Sequence, residues 1–133
     1  MIALDTNVLV RYLTGDDPDQ ARRAAGLLEG VTGGAERLFV SQVVLCELVW
    51  VLRGAYGCAK ADVLKALEGL ISSAQLFVQD AEIAHRALDR YRHGRADFAD
   101  YVMAERARAA GCAGVATFDQ RLLTEDGFVE PST

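Results

Sequence analysis

Met1-Ile2-Ala3-Leu4-Asp5-Thr6-Asn7-Val8-Leu9-Val10 opens the chain with a short apolar run that stops on an aspartate and then resumes. Ile2 to Leu4 reads as a short buried strand, and Asn7 to Leu13 as a short helix. Asp5 therefore stands where strand gives way to helix. The handover recurs along the sequence. Leu38-Phe39-Val40 reads as a second strand, after which Ser41 can cap a long helix from Gln42 to about Gly54. Leu76-Phe77-Val78 is a third strand, followed by a helix from Ala81 to Tyr91. Gly114 to Thr117 is a fourth strand, and it runs into Phe118-Asp119. Phe128-Val129 reads as a small last strand.

Further helices fill the intervals. Gly15-Asp16-Asp17-Pro18 is a turn with Asp17 as N-cap and Pro18 at the first helical position, so a helix is expected from about Asp19 to Glu29. Gly30 to Gly34 is a loop. Lys60 to Ser72 carries Val63, Leu64, Leu67, Leu70 and Ile71 at helical spacing. Phe98 to Ala110 is a helix that ends at Gly111, a C′ glycine. Gln120 to Leu123 is a short helical turn. Short strands alternating with helices imply a parallel sheet covered by helices on both faces. Sites in such sheets lie beyond the C-terminal strand ends. Asp5 and Asp119 fall at that end, and Glu47 and Asp100 lie early in helices that begin there.

The 133 residues suit one domain with a real core, and 51% are apolar with only two prolines, which excludes global disorder. Cys46, Cys58 and Cys112 lack a CxxC spacing and read as reduced thiols of an intracellular, cytoplasmic protein. Asp5 interrupts any signal-peptide core, and no apolar stretch approaches a membrane span. A net charge of −5 argues against a general nucleic-acid-coating protein. It leaves open a nuclease whose acids hold metal.

Four acidic stations dominate the chemistry: Asp5, Glu47, the pair Asp97 and Asp100, and Asp119. The helical neighbours of Glu47 one turn away are Val43, Val44, Trp50 and Val51, all apolar. Carboxylates in such surroundings are costly unless compensated. A shared divalent cation would compensate them, and carboxylate oxygens suit hard ions such as Mg²⁺ or Mn²⁺. Asp97 doubles as a plausible helix N-cap. Asp100 lies inside its helix and is preferred as a direct ligand. A glutamate at a helix rim, reaching water by its flexible stem, is the plain alternative for Glu47.

Leu4-Asp5-Thr6-Asn7-Val8-Leu9, Glu47 in its apolar helix, Asp97-Phe98-Ala99-Asp100-Tyr101-Val102-Met103-Ala104 and Thr117-Phe118-Asp119-Gln120-Arg121-Leu122 together resemble the PIN-domain ribonucleases of the VapC toxin type. The resemblance runs along nearly the whole chain. It implies one PIN domain over residues 1–133: an α/β fold, a three-layer α/β/α sandwich with a short central parallel sheet of four to five strands. It also implies Mg²⁺ or Mn²⁺, RNA cleavage and control by a cognate antitoxin. By resemblance Asp5, Glu47, Asp100 and Asp119 are the catalytic quartet, with Asp97 as an additional metal ligand. Tyr101 departs from the family, where many members carry a small residue, and this bears on packing.

A metal-acidified water attacking a phosphodiester is the chemistry these residues suit. Thr6, Asn7 and Thr117 are candidates for holding the carboxylates or metal waters. Arg121, beside Asp119, is the best-placed phosphate contact. Arg11, near the first acid, and Arg92 and Arg95, just before Asp97, are further RNA-contact candidates. Apolar faces on the helices at Asp19 to Glu29 and Lys60 to Ser72, with Val49, Trp50 and Leu52, suggest a homodimer. An antitoxin segment that sends an arginine toward the acids is expected as well. Two alternatives compete: a phosphatase of the haloacid dehalogenase type, and a non-enzymatic interaction module. The phosphatase needs an acid two residues after its first aspartate, where this chain has Asn7. The module would have no reason to keep the acids.

Overall fold

The computed structural model describes residues 1–32 and 36–132, so the expected loop at Gly30 to Gly34 lies partly outside the described residues. The described chain forms two compact units, Met1–Ala81 and Glu82–Thr133.

The first unit is built on a parallel sheet of three strands in the order β1 (Ile2–Ala3), β2 (Leu38–Val40), β3 (Leu76–Val78). Ile2 is in register with Leu38, and Leu38 with Leu76. The helices are α1 (Thr6–Thr14), α2 (Pro18–Glu29), α3 (Gln42–Gly54) and α4 (Lys60–Ile71). Polar side chains cap the starts of α1, α2 and α3, while α4 begins after Ala59 with no side-chain cap. Asp17 accepts from the Gln20 amide with Pro18 in the first turn, and Ser41 accepts from the Val44 amide. The core is aliphatic: Leu9, Val10, Val40, Leu45, Leu48, Val63 and Leu67 are all sealed from water. A buried glutamine adds a polar tie. The Gln42 side-chain amide donates to the carbonyls of Gln79 at 2.9 Å and Asp80 at 3.0 Å, which fixes the start of α3 against the end of β3.

The second unit carries α5 (Ala81–His93, from its second residue), α6 (Phe98–Ala109), a parallel pair β4 (Val115–Ala116) and β5 (Phe128–Val129), and a 3₁₀ turn at Leu122–Thr124. Tyr91 and Phe98 meet edge to face with ring centres 5.9 Å apart. Ala104, Leu122 and Phe128 form a second small cluster. After α6 the chain turns through Gly111 at φ 87°, a left-handed conformation that glycine adopts without a Cβ clash.

Among the described residues the five expected strands are present, each two or three residues long and paired in parallel, and β1, expected to be buried, is exposed. Among the described residues they group as three and two.

Candidate active site

In the first unit, Asp5 is the N-cap of α1. Its Oδ1 accepts the Thr6 amide at 2.8 Å, which leaves Oδ2 outside the cap bond. Thr6 is buried, and its hydroxyl donates to Glu47 Oε1 at 3.2 Å. One threonine thus joins the two helices that carry the first two acids: its backbone serves Asp5 and its side chain serves Glu47. Asp5 and Glu47 are themselves exposed, which corrects the expectation that they sit in apolar surroundings. The physical reason is local. Asp5 stands at the N-cap of α1, outside the helix, and Glu47 shares its side of α3 with exposed Val43 and Trp50. Asn7 is exposed and lines a cavity of about 390 Å³ between α1 and α2.

Arg11 is engaged elsewhere. Its guanidinium reaches both Asp16 carboxylate oxygens at 3.0 Å, the Tyr56 hydroxyl at 3.0 Å and Gln20 at 2.8 Å. Those bonds staple the end of α1 to the turn that follows and to the loop after α3. The residue expected to meet RNA is a structural clamp here. Of the α3 residues expected on a dimer face, Val49 and Leu52 are buried and Trp50 is exposed.

In the second unit, Asp97 is the N-cap of α6, and Asp100 reaches back to its amide as the third-position acid of a capping box does. The Asp97 amide donates to Asp100 Oδ2 at 3.0 Å, while the Asp100 amide donates to the Asp97 carbonyl at 3.0 Å. The Asp100 carboxyl is pushed above its ordinary range. Loss of water is the larger cause, and the charges of Asp97 and Asp119 add to it, opposed by the Asp97 amide and by Arg121. Asp119 is pushed the other way. Arg121 grips it with Nη2 on Oδ2 at 3.0 Å, Nε on Oδ1 at 3.3 Å and its own amide on Oδ1 at 2.9 Å. Thr117 accepts the Asp119 amide at 3.0 Å and so sets the turn that presents this acid. Arg95, Asp97, Asp100 and Arg121 line one cavity of about 330 Å³. Arg92 lies in the basic last turn of α5, where cations complement the helix dipole.

Among the described residues no three histidine, cysteine, aspartate or glutamate side chains converge closely enough to enclose a metal. The donor chemistry nevertheless fits one. The acids offer only carboxylate oxygen, which suits a hard divalent cation. A cation at Asp100 would offset both causes that raise its carboxyl.

The PIN domain family model matches residues 2–125. This chain belongs to the PIN domain family. The matched interval includes Asp5, Glu47, Asp97, Asp100 and Asp119, and the α/β PIN fold read from the sequence stands. A curated relative, the VapC ribonuclease of Aquifex aeolicus, is 26% identical over 121 residues, covering 91% of this chain and 89% of the relative. The solved structure of Mycobacterium tuberculosis VapC20, described as a sarcin-ricin loop cleaving toxin, covers 98% of both chains at 20% identity and a TM-score of 0.46. No helix among the described residues is long and apolar enough to cross a membrane.

Sequence reasoning missed Glu125 and the work of Tyr101. The Tyr101 phenol is fully buried and donates to Glu125 Oε1 at 2.8 Å. Glu125 lines the same cavity as Asp97 and Asp100. In sequence it is one acid in a polar tail, with no periodicity to mark it. The departure at Tyr101 was the available signal.

Proposed function

We propose that this chain is a VapC-type endoribonuclease toxin that acts in the cytoplasm and hydrolyses RNA phosphodiester bonds with Mg²⁺ or Mn²⁺. The observation that carries the reading is the cavity lined by Asp97, Asp100 and Arg121, in which Asp100 also bears the charges of Asp97 and Asp119. The two units are taken as one PIN domain, because the family model spans both and passes through every acid. Asp5, Glu47, Asp100 and Asp119 would hold the metal, with Asp97 as an additional oxygen donor. When bound there, such an ion would supply Lewis acidity and a more acidic water for phosphodiester hydrolysis.

The chain's own residues do the positioning. Thr6 orients Glu47, and Thr117 orients the turn of Asp119. Asp100 keeps one oxygen on the α6 amide and has the other for a ligand. Arg121, which holds Asp119 in this structure, would turn its planar fork to a phosphate once Asp119 holds the metal. Arg95, in the same cavity, adds a second cation, and Arg92 at the end of α5 is a further RNA contact in this reading. An antitoxin that places a cation on these acids would compete with metal, and the exposed pair Val43 and Trp50 is the apolar surface offered to a second copy in a homodimer.

The deciding assay is cleavage of total cellular RNA by the purified chain in Mg²⁺, in Mn²⁺ and in chelator, with Asp5→Asn as control. Metal-dependent fragments from the wild type alone are expected. Intact RNA in both metals, from a folded protein, would refute the reading.

A further inference from the structure

Tyr101 is the departure from the family pattern that the proposed chemistry leaves unused. Its phenol lies in a fitted slot. The Ala96 amide donates to the phenolic oxygen at 3.2 Å, and that oxygen donates to Glu125 Oε1 at 2.8 Å. A Cβ at Gly94 would fall 1.7 Å from it, so the slot exists only because residue 94 is glycine. Arg90 lies over the ring with its guanidinium carbon 5.0 Å from the centre, itself fixed by Glu105 at 3.0 Å and by the Asp126 carbonyl at 2.7 Å. A rigid, buried group therefore holds one oxygen of an acid that lines the cavity beside Arg95, Asp97, Asp100 and Arg121. A neutral phenol orients Glu125 without cancelling its charge.

A fixed carboxylate on the wall of an RNA-binding cavity repels phosphate and needs a donor opposite it. Single-stranded RNA offers such donors on its base edges. We propose that Glu125, oriented by Tyr101, is a specificity-determining residue that accepts a hydrogen bond from the exocyclic amino group of a base beside the cleaved phosphate. Cytosine N4 and adenine N6 carry that amino group, whereas uracil O4 and guanine O6 present an acceptor in the equivalent place. Guanine's two-donor edge would ask for both carboxylate oxygens, one of which already accepts from the phenol. Arg95 and Arg121, in the same cavity, are the cations for the flanking phosphates.

The inference rests on the ribonuclease reading, and one experiment separates the two. A single-stranded RNA pool of random sequence is cut by wild type, Glu125→Ala, Glu125→Gln and Tyr101→Phe, and the fragment ends are sequenced. Wild type should favour adenine or cytosine over uracil and guanine about tenfold at one position next to the cut. Glu125→Ala should erase that preference and leave other positions alone. Glu125→Gln, whose amide adds a donor, should admit uracil and guanine. Tyr101→Phe keeps the ring but releases the carboxylate, so it should weaken the preference at the same position only. Wild-type cutting with no such preference, or an unchanged profile in both Glu125 variants, overturns the inference. If folded wild type cuts nothing in Mg²⁺ or Mn²⁺, the ribonuclease reading itself falls, and the inference falls with it.

Discussion

The two units hold their acids by different means. In Met1–Ala81 the scaffold is aliphatic, and Asp5 and Glu47 stand exposed on helices that packing has already placed. Thr6 links them to that frame, its amide to Asp5 and its hydroxyl to Glu47. In Glu82–Thr133 the acids are part of the frame. Asp100 closes the start of α6, Asp119 is gripped by Arg121, and Glu125 is tied to a buried phenol. Apolar packing fixes a helix but leaves its surface side chains replaceable. A polar network makes each member structural as well as functional. Substitutions in the first unit should therefore separate activity from stability, and those in the second should mix them.

The largest expected effect is on catalysis. Asp5→Ala, Glu47→Ala and Asp119→Ala should each lower RNA cleavage about a thousandfold or more, since metal-assisted charge stabilisation contributes several kcal/mol. The comparison adds a second readout. Asp5→Ala and Glu47→Ala should leave core packing intact by near-ultraviolet circular dichroism. Asp119→Ala, which strands the Arg121 guanidinium, should also loosen the turn after β4. A Glu47→Ala variant that still cuts RNA would remove Glu47 from the ligand set.

Next comes the core of the second unit. Phe98, between Asp97 and Asp100 in the first turn of α6, is fully buried against Tyr91. Phe98→Ala should cost about 3–5 kcal/mol. Urea denaturation would show it as a lowered midpoint. A cost below about 1 kcal/mol would mean that the site collapses around the gap and that the acids there do not depend on packing.

The fold was legible because its signals are local. Asp17-Pro18, Ser41 and Gly111 mark helix ends by backbone chemistry that needs no tertiary context, and the five apolar runs mark the strands. The acids were legible as residues, through their positions after strands and on helix faces. Their environments were not. Exposure of Asp5 and Glu47 depends on which way a cap and a helix face turn, and the sequence around them is apolar either way. Arg11 looked like an RNA contact because it is near Asp5 in sequence. Asp16, Gln20 and Tyr56 claim it, and Tyr56 is 45 residues away. Glu125 was invisible for the same reason: its partner Tyr101 is 24 residues earlier and meets it only in three dimensions.

Metal should stabilise the native state, and this sharpens the contrast between units. A ligand that binds only the folded form at about one hundred times its Kd adds about 2.7 kcal/mol. Raised melting temperature in millimolar Mg²⁺ or Mn²⁺ is the expected result, and Asp100→Asn should shrink the gain. The sign for the metal-free protein is the opposite. A carboxyl whose folded pKa is raised favours the folded state while protonated, and that contribution is lost as pH rises through the folded value. Asp100→Asn should thus be at least as stable as wild type at neutral pH without metal, with the advantage vanishing in acid. A melting temperature that neither metal moves would sink the shared-cation idea.

The smallest expected effect is at the helix starts. Ser41 and Asp97 occupy the same N-cap position on α3 and α6, with extended backbone at both. Ser41 makes its cap with its own side chain, accepting from the Val44 amide at 3.2 Å. At Asp97 the firm bond runs the other way, from its amide to the Asp100 carboxylate. Ser41→Ala should therefore cost about 1 kcal/mol, the usual loss of a side-chain cap. Asp97→Ala retains the amide that Asp100 needs and should cost less. Paired urea titrations of the two variants measure the difference directly. If Asp97→Ala proves the more destabilising, its carboxylate carries the cap, and its place as a metal ligand weakens. If it keeps its stability but loses cleavage, the carboxylate belongs to the chemistry.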